Sequence, residues 1–595
     1  MMKKESYKLR DIFFMIWKMI PFYAICIVGI TLVEAFLPAV QTVAVAWFVD
    51  AVTEYLKDHQ SLRQVLSAVI SIIICQFCTV CLPTLRDTVS KIGQQKLAIL
   101  LKPMMIKKRA RLEYRYVEDD ETWDLIMRVS ETPEDQVMDV YNNILNIVCL
   151  AITVISLLMI ILRYSPAAGL GILIISVPFY RIAMRTGKKN YEMYRKQKKI
   201  ERRYDYLEEI LTDREYVEER TLFSFTPAIV KEYESLFKRM YKIEKQIQKR
   251  SFVNLKSGSV TSLFLALILI GLLGLSLYHG SLSAGLFISL TTATINLVQI
   301  MSWQLSDVMF SLAQVKEFCG DLTAFMALEE KEGATDQREK KGKLKIRSIE
   351  FKDVTFCYPG TETRILDHCS FKMTEGKNYA LVGENGAGKT TVTKLLLGLY
   401  DNYTGQILIN GTELKEYPYA DIKGAFSAVC QDSSHYEVSI RENILLGDIG
   451  TEDEERMKNA INKSRMSSVI ENCPDGLDTN LGRLHASGRD LSGGEWQRLA
   501  IARLLYAGAQ VNILDEPTSA LDPLQESALY KLFHEVSKNV FTIFITHRLG
   551  AARVADCILV MQKGHIVECG SHEELMGIPE GNYRKMYEVQ KSWYE

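Results

Sequence analysis

The stretch NYALVGENGAGKTTVTKLLLGL, residues 378–399, decides the fold of the second half of the chain. An apolar run leads into a glycine-rich loop of the pattern GxxxxGK[ST] at Gly383–Thr390, and a segment with helical periodicity follows. Glycines in such a loop let backbone N–H groups wrap around phosphates, while Lys389 reaches the β and γ oxygens. The hydroxyl of Thr390 can bind Mg²⁺. The strand–loop–helix context therefore predicts a nucleotide site.

A second apolar run, VNIL at 511–514, ends in the two carboxylates Asp515 and Glu516. A strand that ends beside a phosphate loop can direct the first carboxylate to Mg²⁺ and leave the second to position an attacking water. The sequence thus predicts Asp515 as a metal ligand and Glu516 as the catalytic carboxylate.

The segment LSGGEWQR at 491–498 opens an apparent helix. The free N–H groups and the positive dipole end of a helix suit a phosphate, but Lys389 already serves the γ-phosphate of this chain. From the residues alone, two interpretations of Ser492 stay open: an ordinary N-cap and a second phosphate site.

Around these motifs the composition supports an α/β domain. A polar, charged linker at 327–345 is followed by short β-rich runs that alternate with helical stretches, which predicts a largely parallel sheet.

The whole-chain averages conceal two different halves. With 595 residues the chain is too long for one core, and 71 Lys and Arg against 72 Asp and Glu give a net charge of −1. That balance gives no general reason to bind nucleic acid. The mean hydropathy of +0.01 resembles that of a soluble protein. The 12 cysteines fit a reducing interior rather than a disulfide framework, and CxxCxxC at 75–81 lies in an apolar run that favours packing.

Six apolar stretches before residue 320 are long enough to cross a bilayer. They are residues 19–48, 65–85, 141–162, 165–186, 258–279 and 284–312. Short connections join the first stretch to the second, the third to the fourth and the fifth to the sixth. Segments of about 55 and 70 residues, rich in Lys and Arg, join the second to the third and the fourth to the fifth. The excess of positive charge places both long segments in the cytoplasm, where each is expected to form a helical hairpin.

Ionisable groups inside the predicted spans are few, so each is a functional candidate. Glu34 lies near the middle of the first span, where an interhelical pair and a cavity-lining role are both open. Asp307 lies in the cytoplasmic part of the last span, where a structural role is favoured.

With these motifs in order, the chain resembles the ATP-binding cassette (ABC) transporters. LSGGEWQR matches the signature of that family, Tyr358 looks like the aromatic residue that stacks on adenine, and Gln431 looks like the Q-loop glutamine. Asp522 lies in a stretch that resembles the D-loop, and His547 resembles the switch histidine.

The resemblance implies ATP and Mg²⁺ as cofactors and a role for each motif residue. Glu516, His547 and Gln431 would be catalytic, and Thr390, Gln431 and Asp515 would hold the metal. The nucleotide contacts implied by the family are Tyr358, Gly383, Glu384, Asn385, Gly386, Ala387, Gly388, Lys389, Thr390, Thr391, Ser492, Gly493, Gly494 and Asp522.

The resemblance also implies a multi-domain architecture: an all-α six-helix transmembrane domain of exporter type at 1–326, the linker, and an α/β P-loop nucleotide-binding domain at 346–595. Such a half-transporter works as a dimer, in which the signature of one subunit, with Ser492 and Gly494, closes over the nucleotide of the other. A homodimer and a heterodimer both remain open. Short coupling helices are expected near 118–126 and 213–222, the latter docking on the partner.

The function expected from this resemblance is ATP-driven efflux by alternating access, in contact with membrane lipids. The substrate would be amphipathic or peptide-like, because parts of the sequence look like bacterial peptide and lantibiotic exporters. A lipid flippase is the alternative, and a nucleotide-gated regulatory or channel-like protein is a weaker one because Glu516 is present. Nucleic acid is not an expected partner. No targeting presequence is visible, which favours a bacterial cytoplasmic membrane.

Overall fold

The computed structural model describes most of the chain. The described residues are 6–58, 62–172, 174, 181, 193, 200–201, 203–214, 216–278, 282–300, 304–336, 344–431, 433–484, 488–516 and 540–592. They divide into two compact units: one comprises residues 1–107 and 124–328, and the other comprises 108–123 and 329–595.

Helices make up nearly all of the described residues before residue 329. They are α1 Leu9–Met19, α2 Pro21–Asp58, α3 Leu62–Arg109, α4 Tyr114–Glu118, α5 Asp120–Ser130, α6 Pro133–Tyr164, α7 Val217–Phe223, α8 Thr226–Tyr278, α9 Ala284–Gln299 and α10 Leu305–Ala327. Residues 166–172 and 203–212 are helical as well. Within the described residues, α2, α3 and α6 are long and apolar enough to cross a membrane, and α9 is a shorter apolar helix.

The predicted spans fall on these helices with three differences. Helices α2 and α3 run well past spans 19–48 and 65–85, so that only residues 59–61 separate them. The fifth span, 258–279, is the end of the much longer α8, and the sixth, 284–312, takes in α9 and the start of α10, which continues to Ala327. Most of the fourth span, 165–186, lies outside the described residues.

Hydroxyl groups inside these helices, which the hydrocarbon of a membrane could not satisfy, donate to backbone oxygens of a neighbouring helix. The hydroxyl of Thr153 donates to the carbonyl of Ala35 at 2.9 Å, and that of Tyr141 donates to the carbonyl of Ala24 at 3.0 Å. Both contacts tie α6 to α2. Side-chain hydrogen bonds across helices therefore supplement apolar packing in this unit.

The segment 108–123 groups with the second unit, although it continues α3 in sequence. It contains α4 and the start of α5, which lie where the sequence predicts a coupling helix at 118–126. Lys108 Nζ contacts Glu330 Oε1 at 3.1 Å, and Arg115 pairs with Glu329. Glu329 and Glu330, at the start of the predicted linker, are therefore bonded to this segment. The second short helix, α7, overlaps the other predicted coupling position, 213–222.

The second unit contains two sheets. A four-stranded sheet has the order β2-β1-β4-β5, and a six-stranded sheet has the order β10-β9-β3-β8-β7-β6. The strands are β1 Ser348–Cys357, β2 Arg364–Thr374, β3 Tyr379–Gly383, β4 Thr404–Ile409, β5 Thr412–Glu413, β6 Phe426–Val429, β7 Val511–Asp515, β8 Phe541–Ile545, β9 Cys557–Gln562 and β10 His565–Gly570. Strands β6, β7, β8, β3 and β9 are parallel, and β10 is antiparallel to β9.

Helices cover this sheet and complete the unit. They are α11 Lys389–Leu396, α12 Tyr419–Ala425, α13 Ile440–Leu445, α14 Glu454–Lys463, α15 Ser467–Glu471, α16 Gly493–Ala507, α17 Leu549–Ala552, α18 His572–Met576 and α19 Asn582–Lys591. Every residue of β3 and β7 is buried, as expected for parallel strands covered on both faces. The carboxyl ends of four parallel strands, β6, β7, β8 and β3, consequently meet at one edge of the sheet.

Candidate functional site

The parallel strands bring most of the predicted catalytic residues to one edge of the sheet. Gly383 ends β3, Asp515 ends β7 with Glu516 next to it, His547 follows β8 by two residues, and Gln431 follows β6 by two. The register pairs Asp515 with Ile545 and Leu514 with Val429, so these strand ends are level. Ligands of open α/β sheets bind beyond the carboxyl ends of the strands.

The loop between β3 and α11 has the backbone geometry of a phosphate cradle. Gly386 has φ +78° and Gly388 has φ +105°, conformations that L-residues rarely adopt. A Cβ at Gly388 would also lie 2.8 Å from Leu366 Cδ2 and 3.0 Å from the Ile365 carbonyl. Glycine is therefore required there by both conformation and space, and the start of α11 leaves backbone N–H groups facing the loop.

Lys389 is held inside this loop. Its ammonium donates to the carbonyls of Gly383 at 2.9 Å and Glu384 at 3.0 Å, and the residue is buried. Burial lowers the pKa of Lys389, against the opposing effect of Glu516 and Asp515. A cation in this position can reach phosphate oxygens bound by the loop.

Asp515 and Thr390 form a set of oxygen ligands suited to a divalent cation. The carboxylate of Asp515 accepts a hydrogen bond from the Thr390 hydroxyl, and burial raises the pKa of Asp515 to about 6. Its Oδ1 is buried and makes no hydrogen bond within the described part of the chain. A buried carboxylate oxygen with free lone pairs beside a hydroxyl fits Mg²⁺, which prefers hard oxygen ligands.

Glu516 and His547 face each other beside this set. His547 Nδ1 lies 3.2 Å from Glu516 Oε1, and the glutamate side chain is 13% exposed. Glu516 has φ +44°, and its N–H donates to the Ile545 carbonyl at 2.9 Å. A carboxylate fixed in this way can position and deprotonate a water.

Tyr358 follows β1 directly and precedes α11 in the sequence. Its hydroxyl lies 3.0 Å from Thr391 Oγ1, and its ring packs edge-on against Tyr400 at 5.6 Å between centroids. A half-buried aromatic ring tied to the phosphate-loop helix can stack on a base.

The signature segment begins α16 with a capping box. Ser492 N–H and hydroxyl both donate to Glu495 Oε2, at 2.8 and 2.9 Å. Ser492 and Gly493 are exposed, whereas Gly494 is buried. Ser492 is therefore an N-cap of α16. The exposed N-terminus of this helix can also bind a phosphate.

The structure places some of the remaining predicted residues and not others. Gln431 is exposed, and Asp522 lies outside the described residues. In the membrane part, Glu34 pairs with Arg86 at 2.8 Å between Oε2 and Nη1, which is the interhelical pair considered from the sequence. The side chain of Asp307 lies outside the part of the chain that the structure describes.

Two residues that sequence reasoning missed hold these groups in place. Gln590 on α19 accepts from Leu549 N–H at 2.8 Å and donates to the His547 carbonyl. Lys394 on α11 lies 5.3 Å from the Tyr358 ring centre and bonds Glu118 Oε1 at 2.5 Å. Only Lys394 left a signal, since it is the one charged residue in the apolar run TVTKLLL.

A helical unit with membrane-spanning helices and an α/β unit with a phosphate loop define an ATP-driven membrane transporter. Residues 366–519 match the family described as ABC transporter. The chain is 31% identical over 475 residues to the subtilin transport ATP-binding protein SpaT of Bacillus subtilis, covering 79% of this chain and 76% of that protein. The chain belongs to the ABC transporter family.

Other similarities extend over different shares of the chain. The nisin transport ATP-binding protein NisT of Lactococcus lactis subsp. lactis is 26% identical, covering 93% of this chain and 91% of that protein. An ATP-dependent lipid A-core flippase of Pseudomonas aeruginosa is 38% identical, covering 44% and 42%. The solved structure of a bacterial Atm1-family ABC exporter with ATP bound has a similar fold, with a TM-score of 0.79, 23% identity and coverage of 96% and 99%.

The resemblance stated from the sequence and the predicted fold class are therefore confirmed. The chain is an exporter-type half-transporter that binds ATP and couples its hydrolysis to transport. It is a membrane protein with a cytoplasmic nucleotide-binding domain, and half-transporters of this family function with a second subunit.

Proposed function

We propose that this half-transporter exports an amphipathic, peptide-like substrate from the cytoplasm. Two relatives that match most of the chain bear names that assign them to subtilin and nisin transport. Apolar helices α2, α3 and α6 offer an apolar environment, and the ion pair of Glu34 and Arg86 adds a charged group among them. An amphipathic substrate suits a path of this composition.

The proposed contacts with ATP follow from where each residue lies at the carboxyl edge of the six-stranded sheet. The loop from Gly383 to Gly388 wraps the phosphates through its N–H groups, Lys389 neutralises their charge, and Tyr358 stacks on adenine. Thr390 and Asp515, with Gln431, would hold Mg²⁺, which when bound neutralises charge on the β and γ oxygens.

Glu516 is the general base of this proposal. It orients a water whose oxygen attacks the γ-phosphorus, accepts the proton that this water loses, and the bond from phosphorus to the ADP oxygen breaks. His547, 3.2 Å from the carboxylate, fixes its orientation and can donate to the γ-phosphate. The single observation that carries this proposal is the Glu516–His547 pair beside the buried Asp515.

A second subunit completes each site. Exposed Ser492 and Gly493 at the start of α16 point to a phosphate that is held by another chain, because Lys389 serves the phosphate of its own. Asp522 would act at the same interface. The segment at 213–222 would dock on the partner, in a pair of identical or different chains within a bacterial cytoplasmic membrane.

A lipid flippase is the second candidate, because flippases are among the relatives of this chain. Their match covers less than half of each chain, whereas the subtilin and nisin transport proteins match over most of it. The peptide-like substrate is therefore preferred.

Inside-out proteoliposomes test the two candidates together. The purified chain is supplied with ATP or with a non-hydrolysable analogue, and two signals are followed: uptake of a labelled amphipathic peptide and translocation of a labelled phospholipid. ATP-dependent peptide uptake without lipid translocation is the expected result. Lipid translocation without peptide uptake would replace the proposal with the flippase.

A further inference from the structure

Two cysteines of the nucleotide-binding unit meet at the open end of the hairpin that β9 and β10 form. Cys557 begins β9, and Cys569 is the last residue but one of β10. Their sulfur atoms lie 3.4 Å apart, and both residues are free thiols. A disulfide bond of about 2 Å would therefore require the two sulfur atoms to approach by only a little over 1 Å.

The strand register places both thiols on the same face of the hairpin. Cys569 pairs with Leu559, and side chains alternate between the two faces along a strand. Cys557 lies two residues before Leu559 and so shares the face of Cys569. The ladder between β9 and β10 ends at the pair of Ile558 and Gly570, one residue short of Cys557. The end of the hairpin can consequently close without loss of a hydrogen bond between these two strands.

The two thiols differ in exposure, and this difference gives them different roles. Cys569 is exposed, whereas Cys557 is half-buried. Burial and the hydrogen bond with Cys569 raise the pKa of Cys557, against the opposing effect of the Lys377 ammonium. Cys557 therefore keeps its proton at neutral pH, and an oxidant in solution reaches the exposed Cys569 first.

The hairpin also supports the helix that holds the turn of His547. Glu568, next to Cys569, accepts hydrogen bonds from the N–H groups of the first two residues of α19. Gln590, near the other end of α19, bonds both sides of the His547 turn. A local opening that separates β10 from β9 would release α19 and with it this turn. A covalent bond across the end of the hairpin would oppose that opening.

We propose that Cys557 and Cys569 are a reversible oxidation site, at which a hydroperoxide forms a disulfide bond that holds β10 and α19 in place. The Cys569 sulfur attacks one peroxide oxygen and becomes a sulfenic acid, and the other oxygen leaves as water. The Cys557 sulfur then attacks the Cys569 sulfur, and the hydroxyl group leaves with the Cys557 proton as a second water. Two thiols and one hydrogen peroxide thus give one disulfide and two waters, with two electrons passing from sulfur to oxygen.

Mass spectrometry of the full-length protein in nanodiscs tests the chemistry. The protein is treated with hydrogen peroxide, its remaining thiols are alkylated, and it is digested without reductant. We expect more than half of Cys557 to be linked to Cys569, and a thiol reductant to restore both thiols. Cys357→Ser removes another half-buried cysteine of the same unit, and this matched control should leave the linked fraction unchanged.

Two further variants test the role of each thiol. Cys557→Ser should leave Cys569 as a sulfenic acid that dimedone traps, whereas Cys569→Ser should leave Cys557 as a thiol. A parent protein in which Cys569 is oxidised to sulfenic or sulfinic acid without a link to Cys557 overturns the proposal. Survival of both thiols in the peroxide-treated parent overturns it as well.

Hydrogen exchange of the same samples tests the effect of the bond on α19. The amide hydrogens of this helix should exchange at least threefold more slowly in the linked protein than in the reduced protein, because openings of the hairpin are suppressed. Those of α14, which packs against α16 in the same unit, should exchange equally in both forms. Equal exchange of α19 in the linked and reduced proteins would overturn the proposed stabilising role.

Discussion

His547 approaches Glu516 to 3.2 Å, and the turn that carries this histidine is held from outside by Gln590. The amide of Gln590 donates to the His547 carbonyl and accepts from the Leu549 N–H, so one side chain bonds both sides of the turn. The proposed catalytic pair consequently depends on α19, a helix that contributes no group to the proposed chemistry.

Replacing Gln590 with alanine tests this dependence. We expect kcat for ATP hydrolysis to fall roughly tenfold with KM for ATP unchanged, because the histidine loses its position while the phosphate loop is untouched. Gln590→Glu, which keeps the acceptor for Leu549 N–H, should recover part of the rate.

Glu588→Ala, on the exposed face of the same helix, is the control and should leave kcat unchanged. A Gln590→Ala enzyme with parental kcat, or one whose KM rises while kcat stays constant, would show that the turn holds its position without the glutamine.

A residue could be predicted from sequence when it belongs to a short motif, and could not when its partners lie far away in the chain. Lys389, Thr390 and Asp515 could be placed together from sequence because each lies in a short motif that follows or ends one strand. Gln590 could not, because it bonds backbone atoms 41 and 43 residues away, and backbone atoms leave no trace in a sequence. The pairing of Glu34 with Arg86 was open for a related reason, since hydropathy does not fix how two helices are rotated.

At the scale of elements, α4 and α11 are joined through Glu118 and Lys394. The carboxylate of Glu118 bonds Lys394 and the hydroxyl of Tyr400, and Lys394 lies 5.3 Å from the Tyr358 ring centre. Tyr114 of α4 packs against Tyr400 at 5.6 Å. The segment that continues α3 in sequence thus contacts the helix of the phosphate loop and the proposed adenine platform.

This contact predicts that Glu118 affects coupling more than hydrolysis. Glu118→Gln should retain basal ATPase activity within about twofold, while stimulation by transported peptide is largely lost, because Lys394 is left half-buried without its counter-ion. The exchange variant Glu118→Lys with Lys394→Glu should restore part of the stimulation. If transported peptide stimulates the ATPase activity of Glu118→Gln as strongly as that of the parent, the Glu118–Lys394 pair does not couple transport to hydrolysis.

The extent of each element was less predictable than its existence. Hydropathy located the apolar cores of α2, α3 and α6, but the helices continue through polar residues that favour helix and that hydropathy does not score. The α/β order was predictable because buried parallel strands and the phosphate loop have strong local patterns.

For the whole molecule, the proposal requires that each nucleotide be held between two chains. Co-expression of Lys389→Ala and Ser492→Arg subunits carrying different tags, followed by isolation of the mixed dimer, tests this. In the mixed dimer, the Lys389→Ala phosphate loop of one chain meets the Ser492→Arg segment of the other, so one site carries both substitutions. The second site carries neither, so up to half of the parental ATPase activity should return. Each single-variant homodimer should be inactive. A mixed dimer as inactive as the two homodimers would contradict a shared site.

The central claim is that hydrolysis of ATP at Glu516 drives export, and the ATPase rate of the reconstituted protein tests it most directly. We predict that Glu516→Gln lowers the rate at least a hundredfold while ATP still binds, because the water loses its base. Glu471→Gln, an exposed glutamate on α15, should hydrolyse ATP at the parental rate. A Glu516→Gln protein that hydrolyses ATP as fast as the parent would contradict the account.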